Sequence, residues 1–240
     1  MAGVAVPSVV FVHGAGDQSN VWASVQDALP IPSLAVELPG RGRHPGDLGS
    51  YTLESAFELV AAEVDSATGQ APVSLVAHSI GGALSPLLAA HLGDRLVHLI
   101  HIAAVAAPAG HLPLATASPT FADNMLRDTD SIRFEVSGRS YVVDGETPPD
   151  GLAGLTDRLT LTRWDSLVLG CRPTVGLMPG SFPRTFIRPV HDRLYPADAQ
   201  SRLAAAMGAT RIVPVEAGHN VAGRAPQMLA GTLLDVLGAS

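Results

Sequence analysis

Between Pro72 and Ala90 an apolar run, Pro72-Val73-Ser74-Leu75-Val76-Ala77, gives way at once to a helical pattern, Ala83 to Ala90, through the short link Ala77-His78-Ser79-Ile80-Gly81-Gly82. The run has the length and composition of a strand buried on both faces. A strand that turns directly into a helix leaves one side chain at the apex, above the sheet edge and beside the helix N-terminus, and here it is Ser79. Such a turn presses backbone against backbone, so the flanking positions must be very small. Gly81 meets that need downstream, and Ala77, one methyl larger than glycine, meets it upstream. An isolated Ala-x-Ser-x-Gly also fits an ordinary helix N-cap. The rest of the chain decides between the two.

The same strand-then-helix rhythm runs through most of the sequence. Strand-like runs fall at 8–12, 33–37, 72–77, 97–104, 184–190 and 210–215, and helical patterns at Trp22–Leu29, Leu53–Ala67, Ile80–Leu92, Ala197–Met207 and Pro226–Leu237. Alternation of this kind predicts right-handed crossovers and an α/β fold: a mostly parallel sheet of about six strands with helices on both faces. With 240 residues, 47% hydrophobic and 15% charged, a single well-cored domain is expected. The rhythm fails between Pro108 and Pro183, where prolines at 113, 119, 148, 149, 173 and 179 interrupt the chain. An excursion this long reads as a lid or cap insertion, 108–183, set between core segments 1–107 and 184–240. Short helices are expected in it at 120–128, 151–159 and 164–169.

Composition removes several function classes. The net charge of −7 comes from 22 acidic and 15 basic residues with no basic cluster, which argues against a nucleic-acid partner. Every basic residue is Arg, so Schiff-base chemistry has no lysine to use. Cys171 stands alone and no Cys-His cluster exists, so neither an internal disulfide nor a metal site is expected. The loop His13-Gly14-Ala15-Gly16 is not a phosphate-binding G-x-G-x-x-G, and G-K-[ST] is missing, so no nucleotide or other cofactor is expected. Met1 to Pro7 lacks the charged region of a signal peptide, and no apolar segment reaches membrane-spanning length. The expectation is a cytoplasmic monomer or homodimer that acts on a small molecule and engages no membrane.

Phe11-Val12-His13-Gly14-Ala15-Gly16 with Trp22 beyond it, Leu38-Pro39-Gly40-Arg41-Gly42, Ala77-His78-Ser79-Ile80-Gly81-Gly82 and two later segments together resemble the α/β-hydrolase superfamily. The resemblance covers nearly the whole chain and points to the small branch of plant-type esterases, hydroxynitrile lyases and their bacterial esterase-like relatives. It implies the α/β-hydrolase fold, with this chain starting at what would be the family's third strand. His13 resembles the His of the family's oxyanion loop and is given a structural role.

A serine hydroxyl is a poor nucleophile near neutral pH unless an imidazole takes its proton, and that imidazole needs a carboxylate to fix its tautomer. The superfamily carries the three in the order Ser, acid, His. Downstream of Ser79, Thr185 to Val190 is a strand that leads into His191-Asp192, and Arg211 to Val215 leads into Glu216-Ala217-Gly218-His219. Catalytic groups gather at the carboxyl ends of strands in an open α/β sheet, so Asp192 and His219 are the candidates. Asp144, Asp157 and Asp165 compete as acids, and His191 is the weaker base. Of the remaining histidines, His98 and His101 read as polar groups on a buried strand, and His44 and His91 as surface residues.

Oxyanion donors are expected from the backbone N–H groups of Ala15 and Ile80. Gly14, His78, His111, Phe121 and Trp164 are candidate substrate contacts, with Met125, Tyr141 and Val168 as further apolar wall. The helical spacing of Phe121 with Met125 and of Trp164 with Val168 equally serves lid packing. Lyases of this branch place Lys after the catalytic His and Thr or Asn after the oxyanion-loop His; here those positions are Asn220 and Gly14. The reading is therefore a carboxylesterase-type serine hydrolase acting on a small apolar or aromatic substrate. Thioester, lactone or carbon–carbon hydrolysis and a triad-bearing small-molecule receptor stay open as alternatives.

Overall fold

The structure, a computed structural model, describes residues 8–44, 53–105, 126–127, 131–136, 139–144 and 182–238. Its strands in chain order are β1 (Ser8–Val12), β2 (Ser33–Val36), β3 (Val73–His78), β4 (Leu96–Ile102), β5 (Leu126–Arg127), β6 (Ser131–Val136), β7 (Arg139–Asp144), β8 (Arg184–Pro189) and β9 (Arg211–Val215). Six of them form one sheet in the order β2-β1-β3-β4-β8-β9, and every pairing in it is parallel. The helices are α1 (Ala23–Asp27), α2 (Leu53–Thr68), α3 (Ser85–Leu92), α4 (Ala197–Ala206), α5 (Val221–Arg224) and α6 (Pro226–Leu237), with a tight turn of 3-10 helix at Ser79–Leu84. Outside residues 108–183 each expected strand and helix is present within about two residues at its ends, save that the pattern expected as one helix over Ile80–Leu92 is the 3-10 turn Ser79–Leu84 followed by α3 from Ser85. Among the described residues no helix is long and apolar enough to cross a membrane.

The sheet is buried on both faces because its central strands carry apolar side chains at successive positions, which point to opposite sides. On β1, Val10 and Val12 join Val60 and Val64 of α2, Leu88 of α3 and Leu203 of α4. Val9 and Phe11 on the same strand point the other way, onto Trp22, Val25 of α1 and Leu229 and Leu233 of α6. Phe11 stacks on Trp22 with ring centroids 4.6 Å apart, and both are fully buried. Truncating an aromatic in such a place costs about 3–5 kcal/mol. At the sheet's margin β9 contains Pro214, which has no N–H to give; an edge strand tolerates it because only β8 needs its hydrogen bonds.

Two features differ from expectation. Leu126–Arg127 is a strand paired antiparallel with Arg133 and Ile132, not the end of a helix at 120–128. Ser131–Val136 and Arg139–Asp144 then pair antiparallel in full register. The signal lay in the alternation Ile132, Phe134, Val136 against Arg133 and Glu135, followed by Ser137-Gly138, a dipeptide that marks hairpin turns. The helical spacing of Phe121 and Met125 obscured it. The second is α5, whose first turn is capped by the Asn220 side chain accepting from the Gly223 N–H at 2.9 Å. The helices expected at 151–159 and 164–169 lie outside the described residues.

Candidate active site

All the groups of interest sit at the carboxyl end of the parallel sheet. Ser79 follows β3 directly, Asp192 follows β8, His219 follows β9, and the loop after β1 carries His13, Gly14 and Ala15. Since β1, β3, β4, β8 and β9 are neighbours in the sheet order, sequence segments more than a hundred residues apart converge on one edge.

Ser79 has φ +52°, the left-handed region that a non-glycine residue occupies only at a cost. The surroundings hold it there. Its carbonyl accepts the Val105 N–H at 2.9 Å, and Val105 is presented by a second left-handed residue, Ala103, at φ +43° just beyond β4. On the other side the β1 loop lies against the turn. A methyl group on Gly14 would stand 2.9 Å from both the Ser79 Cβ and the His78 Nδ1, and one on Gly81 would stand 2.5 Å from the His13 carbonyl. Glycine at these two places is what lets the loop and the turn touch. The turn of 3-10 helix leaves its first N–H groups, Ile80 among them, without a carbonyl inside the helix.

Ser79, His219 and Asp192 form one hydrogen-bonded chain. Ser79 Oγ donates to His219 Nε2 at 3.0 Å, and His219 Nδ1 donates to Asp192 Oδ2 at 2.8 Å. The other carboxylate oxygen, Asp192 Oδ1, accepts the N–H groups of Leu194 at 2.8 Å and Tyr195 at 2.9 Å. Asp192 is buried, and burial alone would raise its carboxyl. The charge and hydrogen bond of His219, with the two backbone donors, outweigh that and hold it below its ordinary value. A proton on Oγ thus has a path to an imidazole whose far nitrogen is fixed as a donor.

His78, expected as a substrate contact, is buried beside His219. Its Nε2 donates to the His219 carbonyl at 2.9 Å, its ring lies 4.9 Å from the His219 ring, and Trp22 meets it edge-on. Burial, then the neighbouring His219 charge, pushes it down to about 3, so it is a neutral brace for the His219 backbone. His191 points away and pairs with Glu216 at 3.0 Å on the surface. His98 and His101 are buried on β4, bonded to Thr185 Oγ1 at 2.9 Å and Ser85 Oγ at 2.8 Å. His91 pairs with Asp65 on the surface at 2.8 Å. His111, Phe121, Met125, Trp164 and Val168 lie outside the described residues, and Tyr141 is placed on β7.

Glu37, which sequence reasoning missed, supports the β1 loop through His13 and Ser19. His13 is fully buried, donates from Nδ1 to the Gly14 carbonyl at 2.9 Å, and sets Nε2 3.2 Å from Glu37 Oε1. Glu37 also accepts the Ser19 N–H at 3.0 Å and the Ser19 hydroxyl at 2.7 Å. The available signal was a carboxylate at the end of β2, beside Leu38-Pro39-Gly40. Burial raises the Glu37 carboxyl, but these partners pull it down from 4.5 to about 2. A carboxyl lowered by folding stabilises the protein above its unfolded value and loses that contribution as pH falls toward the folded value. The urea midpoint is therefore expected to fall between pH 4.5 and pH 2, less steeply in Glu37→Gln than in the wild type. Equal slopes would remove Glu37 from this account.

Known proteins match this geometry at the level of fold and family. Lipase LipV of Mycobacterium tuberculosis is 34% identical over 93 residues, 38% of this chain and 35% of its own length. A pimeloyl-[acyl-carrier protein] methyl ester esterase of Neisseria meningitidis is 33% identical over 94 residues, 38% of this chain and 28% of its own length. The matched stretch thus spans about a third of these relatives. A pyrethroid hydrolase of Sphingobium wenxiniae is 24% identical across 96% of this chain and 87% of its own length. Among solved structures, a pyrethroid hydrolase superposes with a TM-score of 0.72 at 20% identity, covering 98% of both chains. Polyneuridine aldehyde esterase does so with a TM-score of 0.71 at 18% identity, over 97% of this chain and 99% of its own. The alpha/beta hydrolase family model matches residues 9–232, nearly the entire sheet and its helices, and the chain belongs to that family.

Proposed function

We propose that this chain is a serine hydrolase that cleaves an ester-like bond in a small molecule. The observation that carries the reading is the unbroken chain from Ser79 Oγ through His219 to Asp192, with Ser79 held at a left-handed turn on the carboxyl edge of the sheet. Ser79 Oγ attacks the substrate carbonyl and passes its proton to His219 Nε2. His219, held as an Nδ1 donor by Asp192, gives that proton to the leaving alcohol. An acyl group is left on Oγ; water, losing a proton to Nε2, then releases the acid and restores the hydroxyl. The N–H groups of Ile80 and Ala15 receive the oxyanion in both halves, Ile80 because it begins a helical turn and Ala15 because its loop lies against Ser79. Removing one donor from such a pair typically costs about 10²–10³ in kcat.

The relatives support an ester-type bond: those named above are a lipase, a methyl ester esterase and a pyrethroid hydrolase. Asn220 after His219, Gly14 after His13 and the lack of lysine support hydrolysis over cyanohydrin cleavage. The test is mass spectrometry after exposure to a fluorophosphonate, combined with turnover of p-nitrophenyl esters, a lactone and an acyl thioester. A single adduct on Ser79 and fastest turnover of an oxygen ester are expected. A protein that takes up no phosphonate and turns over none of these substrates would overturn the reading.

A further inference from the structure

At its amino end, opposite the catalytic edge, the sheet carries polar residues on a face that is apolar everywhere else. Residues in register on parallel strands share a face, and so do residues two apart along one strand. Ser74 of β3 is in register with Val9 of β1 and His98 of β4, and Thr185 of β8 with Arg211 of β9. His98 Nε2 lies 2.9 Å from Thr185 Oγ1, which joins these pairs into one row across four neighbouring strands. Two residues further along each strand the row reads Val76, Ile100, Ile187 and Val213, all in or against the apolar cluster that contains Leu229 and Leu233 of α6.

The helix that covers the apolar row ends at Leu237, where Gly238 turns the backbone with φ +67°. A cavity of about 570 Å³ opens at that end, within the range of small-molecule sites. Ser74, His98, Thr185 and Arg211 line it on the sheet side, and Val9, Ile31, Val97 and Leu237 give it an apolar wall. Val97 is in the lining because β4 carries one extra residue against β3: Val73 pairs with Leu96 and Ser74 with His98, which leaves Val97 between them, 36% exposed. Such a bulge re-aims the side chains beside it. Packing alone does not call for this row. Ser74 and Thr185 are 1% exposed and His98 9%, and valine would fill such strand positions without desolvating a hydroxyl or an imidazole. A ligand that hydrogen-bonds to them offsets that cost.

We propose that this cavity is a second small-molecule site, which binds an acid with an apolar body: the carboxylate against Arg211, His98 and Ser74, the body along Val9, Ile31, Val97 and Leu237. The guanidinium of Arg211 presents paired donors that match the two oxygens of a carboxylate. The buried hydroxyls and imidazole share its row, whereas the acidic residue of the lining, Asp235, stands on α6. Ser74 and Ser79 are five residues apart on the β3 segment, about 16 Å at 3.3 Å per residue. The two sites are therefore separate, and both can be filled at once.

The test is calorimetric titration of the full chain with 4-phenylbutyrate and, separately, 4-phenylbutylamine. One equivalent of the acid is expected to bind with a Kd of about 1 mM or tighter, and the amine more weakly. Arg211→Gln, a change at an exposed side chain, should raise the Kd of the acid about tenfold or more. Ser74→Val should raise it about threefold while leaving the melting temperature unchanged or higher, since it extends the apolar row. Treatment with a fluorophosphonate beforehand, which occupies the catalytic edge, should leave the Kd as it was. No binding of the acid up to about 10 mM, or a Kd that neither substitution moves, overturns the proposal. So does an amine that binds as tightly as the acid, which would make Asp235 the anchor, or loss of binding after the fluorophosphonate, which would put the probe at Ser79.

Discussion

Ser79→Ala is expected to lower kcat/KM for an activated aryl ester by about 10⁴–10⁶-fold. The size of the loss follows from what the change leaves behind. His219 keeps its bond to Asp192 but has no hydroxyl proton to accept, so the covalent route closes entirely. The oxyanion donors and the binding surface stay in place, so a residual rate above that in water remains, and KM moves little. The fold should survive, since alanine occupies the same strained turn and its backbone keeps the bond from the Val105 N–H. Steady-state kinetics with a melting curve on both proteins makes the comparison. A variant that melts as wild type does and retains more than about one hundredth of the activity would exclude Ser79 as the nucleophile.

The parallel sheet and the candidate site were legible in the sequence for one physical reason. The central strands are buried on both faces, so their apolar runs are nearly continuous, and three of them end at or just before a residue of catalytic type: Val12 before His13, His78 before Ser79, Pro189 three residues before Asp192. Chain order and strand-end position together selected three side chains that the fold brings within hydrogen-bond reach of one another. What escaped were contacts set by side-chain direction. Nothing in the spacing of Glu37 shows that it meets His13, and nothing in the spacing of Tyr195 shows that its ring turns back onto His219. The same holds for His78: nothing in its adjacency to Ser79 shows that its ring is buried and bonded to the His219 carbonyl. Between residues 108 and 183 the hairpin of β6 and β7 was hidden because its strands are short and flanked by proline-rich sequence, where helical spacing of two apolar residues is weak information.

Asp192→Asn is expected to lower kcat about 10⁴-fold at neutral pH, with KM nearly unchanged. The carboxylate makes three bonds as an acceptor: two from the Leu194 and Tyr195 N–H groups to Oδ1, and one from His219 Nδ1 to Oδ2. An amide offers one acceptor oxygen and one donor nitrogen. If its oxygen stays with the two backbone donors, the NH₂ faces His219 Nδ1 and needs a lone pair there. The ring then carries its proton on Nε2, pointing at Ser79 Oγ, and can no longer accept the hydroxyl proton. If the amide flips, His219 keeps its tautomer, but the two backbone N–H groups lose their acceptor at a cost of about 1–3 kcal/mol each. The first arrangement is preferred, and the enzyme is held in the wrong tautomer. The change also has a signature in stability. The Asp192 carboxyl is held below its ordinary value, so it stabilises the fold above that value and ceases to do so as pH falls through the lowered one. The asparagine variant should therefore lose less stability than wild type on acidification. Asp144→Asn, Asp157→Asn and Asp165→Asn, which change the acids that competed in the sequence, are expected to stay within about tenfold of wild type. If any of them cost more than Asp192→Asn, the acid would have to be reassigned despite the 2.8 Å bond to His219.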